Sequence, residues 1–182
     1  MKQQMFIDCR ISGGMGDAVR IIVVVDNQND NVVISQILPY MPSPNPYRGK
    51  TAGQIAMMKE VERNSIIVVD NSSAFKKWDI CFNQVEHLDE AVKSYYALSR
   101  NKSLILGEAV SIYDPSMVIE IRKMDMRGNV YELNSDEVNN GHIAVLVACW
   151  SAVKMRGSVS VVESDDEPTQ HDIDTFSVPF SV

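Results

Sequence analysis

Stretches rich in β-branched residues alternate with stretches of helical periodicity along the chain. Met5 to Ile11 and Val19 to Val25 are dominated by Ile and Val and flank Gly13, Gly14 and Gly16, a pattern that predicts a β-hairpin. After the polar cluster 27–31, Val32 to Leu38 predicts a third strand, so the first forty residues read as an antiparallel meander. Four prolines between Pro39 and Pro46 then exclude regular structure. Apolar residues including Ile55 and Met58 predict a helix from about Thr51 to Arg63, packed on the sheet. Ser65 to Val69 is apolar on both parities after its first residue, the signature of a central strand, and it ends in Asp70. A strand on each side of a helix implies parallel pairing through a right-handed crossover.

Asn71, Ser72 and Ser73 are cap residues for a helix predicted from Ala74 to Phe82 with Trp78 as its anchor, and a second helix is predicted from His87 to Ser99. Ser103 to Leu106 is a short strand. Met117 to Asp125 and Val130 to Leu133 flank Arg127, Gly128 and Asn129 as a second hairpin. From Asn139 to Val153 the chain is apolar nearly all round, which predicts a buried final helix ended by Gly157. The fold class is therefore α/β, a mixed sheet in which a three-strand meander is continued by parallel strands, flanked by helices, with an auxiliary β-hairpin. One domain is expected over 1–157, followed by an acidic, mobile tail over 158–182.

The 182 residues, 45% hydrophobic and 23% charged, suit one domain with its own core. The net charge of -7 argues against nucleic acid only until it is divided: no Lys or Arg follows Arg156, and the tail holds six acids. The remainder, with 17 basic against 18 acidic residues, is nearly neutral. Arg10, Arg20, Arg48, Lys50, Lys76, Lys77, Arg122, Lys123 and Arg127 could supply a face for a phosphate backbone. Cys9, Cys81 and Cys149 are odd in number and set among apolar residues, as expected of buried free thiols. With no membrane-length apolar run and no signal-peptide start, an intracellular protein is expected.

Among the motifs, Arg48-Gly49-Lys50-Thr51 looks like the end of a phosphate-binding loop, but prolines at 42, 44 and 46 remove the backbone donors such a loop needs. His87, His142 and His171 share no ligand spacing, and no Ser or Cys has the setting of an activated nucleophile. What remains is acidic. Asp8 interrupts the first strand and Asp70 ends the central one, so two carboxylates on adjacent strands could hold Mg²⁺ or Mn²⁺ for phosphodiester cleavage. A third anionic ligand belongs at the start of the last helix. The sequence there offers only the neutral Asn139 and Asn140, with Asp136 and Glu137 just upstream.

The order of these segments resembles the RNase H-like fold, and more closely the nuclease domain of the large terminase subunit of tailed bacteriophages. Ile7-Asp8-Cys9, a glycine-rich turn with Asp17 and the run Ile21 to Val24 resemble its first metal-binding strand and hairpin; Val68-Val69-Asp70-Asn71-Ser72-Ser73 resembles its second acidic strand. Asn101 to Leu106 and the later hairpin are similar to its auxiliary region. Asn139 to Leu146, ending at Trp150, is similar to its last acidic segment and apolar helix, with Asn140 or Asn139 where the family has aspartate.

The resemblance covers residues 4 to 153. It implies a two-metal endonuclease that cuts concatemeric viral DNA during packaging. Asp8, Asp70 and the Asn140 position would be the metal ligands and catalytic residues, Asp17 and Asn139 would support them, and Arg10, Arg48, Lys50, Lys76 and Lys77 would contact DNA. It also implies double-stranded DNA, the portal and the small terminase subunit as partners, an ATPase motor that this chain lacks, and the cytoplasm of an infected host. A junction resolvase, a hybrid nuclease, or a catalytically dead module that binds DNA or capsid protein are the alternatives, the last favoured by the asparagine pair.

Overall fold

The computed structural model describes residues 4–12, 17–26, 28–41, 45–126 and 128–163. The expected meander forms. Strands β1 (Gln4–Ile11) and β2 (Val19–Asp26) pair antiparallel over their full length, with Asp8 opposite Ile22 and Arg10 opposite Arg20. Strand β3 (Asn31–Ile34) pairs antiparallel with β2, and the two-residue β4 (Leu38–Pro39) returns to the start of β2 opposite Val19 and Arg20. The glycine turn at 13–16 lies outside the described residues.

Helix α1 (Ala52–Asn64) begins at Thr51, whose side chain accepts the Gln54 N–H while Gln54 reaches back to the Thr51 N–H, a reciprocal cap. Its packing differs from expectation: none of its residues is buried, and Met57 is exposed. Strand β5 (Ser65–Val69) runs parallel to β1, with Asp8 level with Ile67, and β6 (Ile80–Cys81) runs parallel to β5. The helix expected at 74–82 is absent. Asn71 instead accepts the Ser73 N–H in a tight turn, Phe75 and Trp78 pack on Val69, and Ile80 and Cys81 give their backbone to the sheet.

Helix α2 (Gln84–Arg100) follows, then β7 (Leu104–Leu106) beside β3, and the separate hairpin of β8 (Ile119–Asp125) and β9 (Gly128–Leu133). The main sheet thus runs β6-β5-β1-β2-β3-β7, with parallel and antiparallel neighbours mixed. Helix α3 (Asn140–Glu163) runs through Gly157, past the end predicted for it. It covers one face of the sheet: Ile7, Cys9 and Ile11 of β1 share a core with Val145 to Trp150, and burial beside Asp8 pushes the Cys9 thiol far up. All three cysteines are buried and free. No helix among the described residues is long and apolar enough to cross a membrane.

Candidate functional site

Alternation along β1 puts Asp8 and Arg10 on the face away from α3. Asp8 is 3% exposed, and an ionised carboxylate this deep requires charged or hydrogen-bonding partners. It has them in two arginines. Arg20 donates Nε to one oxygen at 2.9 Å and Nη2 to the other at 2.8 Å, a bidentate fork, and Arg10 adds Nη2 at 3.0 Å. The bonds to Asp8 raise the already high pKa of Arg20 further. The Arg10 guanidinium also stands 5.5 Å from the Tyr40 ring centre, within cation–π range.

Asp70 occupies a different place. It follows β5 and lies three register positions beyond Ile67, about 10 Å further along the strand than Asp8 at ~3.3 Å per residue. Its Oδ1 accepts the Ser12 N–H at 2.8 Å and the Ser12 hydroxyl at 3.1 Å, which ties the carboxyl ends of β1 and β5 together. Asp8 and Asp70, expected to share metal ions, are therefore held in separate networks.

At the same end of the sheet the two asparagines divide their work. Asn139 is the cap of α3: its Oδ1 accepts the Gly141 N–H at 2.8 Å, and its own N–H donates to His142 Nδ1 at 3.1 Å. Burial lowers the His142 pKa, consistent with a neutral ring whose Nδ1 accepts. Asn140, the first residue of the helix and 3% exposed, sends Nδ2 to the Asp17 carbonyl at 2.7 Å. Its Oδ1 is buried with no donor. Such orphans are rare because each costs about 1–3 kcal/mol.

Asn140 and Asp17 line a cavity of about 210 Å³ together with Val19, Ile37, Tyr113, Asn139 and Gly141. Gly141 is required here, since a Cβ at that position would lie 2.4 Å from the Tyr113 ring. Of the lining residues only the exposed Asp17 carries a carboxylate, and its tie to Asn140 is through its backbone carbonyl, so Asn140 Oδ1 stands as a neutral oxygen of the kind a hard divalent cation accepts. A pair of ions bridged by Asp8 does not fit, because both Asp8 oxygens already accept guanidinium hydrogen bonds. Among the described residues no three His, Cys, Asp or Glu side chains converge as a metal cluster.

The remaining predicted residues spread out. Lys76 and Lys77 are exposed on the turn after Asp70, and Arg48 and Lys50 are exposed before α1. Asp136 and Glu137 are exposed in the turn before α3 and do not replace Asn140. The sequence reading missed Arg20 as the partner of Asp8 and Tyr113 as a cavity wall; the hairpin register, which sets Arg20 diagonal to Asp8, is the signal for the first. No family model, no curated protein and no solved structure matches the chain.

Proposed function

We propose that this chain is an RNase H-like nuclease domain of the kind found in phage DNA-packaging terminases, acting on the phosphodiester backbone of double-stranded DNA. The observation that carries the reading is the donorless, buried Oδ1 of Asn140, a residue that lines a cavity together with Asp17. The sheet order supports it: a three-strand meander whose first strand is flanked by a parallel strand ending in an acid, with the last helix starting beside the hairpin. Ligands in α/β sheets favour the crevice beyond the carboxyl ends of strands, where Asp70 stands.

In this reading Asp17 and Asn140 would hold one Mg²⁺ or Mn²⁺. Such an ion, when bound, activates water and stabilises charge on the phosphate oxygens. Asp70, its Oδ1 fixed by Ser12, orients water at the strand end. Lys76 and Lys77 meet phosphates without reading sequence. The portal, the small terminase subunit and an infected host cell belong to the same proposal.

The test is plasmid cleavage in Mn²⁺ by this chain and by its Asn140→Asp variant. A carboxylate at 140 supplies the missing charge, so the variant is expected to cut at least about tenfold faster. If neither protein cuts, the second reading takes over: an RNase H-like module that binds DNA or capsid protein without hydrolysis. The specific observation favouring that reading is the engagement of both Asp8 oxygens by three guanidinium bonds.

A further inference from the structure

Asp8 has a use that needs no metal. One carboxylate faces two guanidinium groups, so the cluster carries an excess positive charge, and three bonds to Asp8 consume only three of the ten N–H donors that two arginines offer. Arg10 Nε is buried with no acceptor. The Arg20 side chain is 38% exposed and that of Arg10 18%, so the pair opens to solvent on the sheet face opposite α3 while Asp8 stays beneath it. Tyr40 lies over Arg10 and meets Phe75 edge-on at 5.2 Å; the next residues, Lys76 and Lys77, are exposed. Among the described residues Tyr40 and Glu62 of α1 also act on Arg20, and Glu62 itself accepts from the Tyr47 hydroxyl.

We infer that Arg10 and Arg20 form a phosphate fork, aimed by Asp8 as a positioning residue, that grips the nucleic-acid backbone alongside Lys76 and Lys77. The planar guanidinium suits this role because it presents parallel donors to phosphate oxygens, and a carboxylate behind it fixes the plane before the ligand arrives. The inference rests on the nucleic-acid reading for its ligand but not on cleavage.

The experiment measures binding of a labelled DNA duplex in EDTA across a range of salt, for the wild-type chain, Arg20→Lys, and the double variant Asp8→Asn with Arg20→Gln. The double variant removes one acid and one base, so net charge is unchanged and no buried carboxylate is left unpaired. Arg20→Lys keeps the charge and loses the fork, so affinity should fall about tenfold with little change in salt slope. The double variant should lose affinity and also about 0.9 in the slope of log K against log salt, one phosphate contact.

Binding and slope unchanged in both variants would overturn the fork while leaving a DNA-binding domain in place. If the wild type binds no DNA, the nucleic-acid reading fails, and titration with inorganic phosphate, followed through the Arg10 and Arg20 Nε–H resonances, decides the fork separately. Shifts at both arginines would uphold an anion site, and their absence would overturn it.

Discussion

Asp8 and Asn140 are both 3% exposed and polar, yet their surroundings are opposite. Asp8 is a charge with every oxygen supplied, by a bidentate Arg20 and by Arg10. Asn140 is neutral, and half of its amide is supplied: Nδ2 reaches the Asp17 carbonyl, while Oδ1 is buried without a donor in a residue that lines the cavity. The contrast teaches that residue type is a poor guide to whether a buried polar atom has its hydrogen bonds. The acid that most resembles a metal ligand in sequence is closed by arginines, and the neutral asparagine at the start of the last helix keeps an unsatisfied oxygen.

The largest effect that sharpens this contrast is expected at Asp8. Asp8→Asn leaves two partly exposed guanidinium groups facing a neutral amide, and because solvent reaches both the loss falls short of that for a fully buried pair, at about 2–3 kcal/mol. Urea denaturation should show that loss, and a loss under about 1 kcal/mol would mean the arginines relax into water without needing the carboxylate. Next comes Gly141→Ala. The added Cβ would collide with the Tyr113 ring, so about 1–3 kcal/mol of stability should disappear in the same assay, with Tyr113→Ala in the background of Gly141→Ala relieving the collision.

A smaller effect separates the asparagines. Asn139→Ala removes the α3 cap and should cost about 1 kcal/mol, while Asn140→Ala removes an unsatisfied oxygen along with one hydrogen bond and should cost less. Equal costs would show that both residues serve only the helix start.

The smallest effect is on pH. Helix α2 repeats the device of α3: Asn83 caps it through its Oδ1, and the Asn83 N–H donates to His87 Nδ1. Burial lowers the pKa of both His87 and His142 below the ordinary value of 6.5. A depressed histidine contributes stability that is fully present above the unfolded-state pKa. That contribution fades as pH falls from about 6.5 through the folded-state value, because the unfolded chain takes up the proton first. Thermal melts should therefore decline below pH 6.5, and replacing both histidines with Gln should flatten that part of the curve.

Much of the scaffold was legible because period-2 and apolar-run patterns are local. The hairpin of β1 and β2, the central position of β5 with Asp70 at its end, and the buried α3 all follow from such runs. The helix expected at 74–82 failed for a physical reason. Phe75 and Trp78 have helical spacing, but pairing of Ile80 and Cys81 with β5 satisfies the backbone better than one further turn of helix would. The core face expected for α1 does not form: Ile55, Met58 and Val61 have the right period but are only half-buried.

The site was half legible. Asp17, Asp70 and Asn140 could be named from their places in the chain order; Asn140 meets Asp17 at the cavity, while Asp70 is tied to Ser12 at the end of β1. The closure of Asp8 could not, because it depends on a diagonal contact to a residue twelve positions away, and the division of labour between Asn139 and Asn140 depends on which of them starts the helix.

The claim that the open position lies at Asn140 and not at Asp8 is tested most directly by Mn²⁺ binding, read by electron paramagnetic resonance, in the wild-type chain, Asn140→Asp, Asn140→Ala and Asp8→Asn. The account predicts at least tenfold tighter binding for Asn140→Asp, loss of binding for Asn140→Ala, and wild-type affinity in Asp8→Asn that remains folded. Binding that is indifferent to residue 140 and abolished by Asp8→Asn would contradict it and return the metal to Asp8.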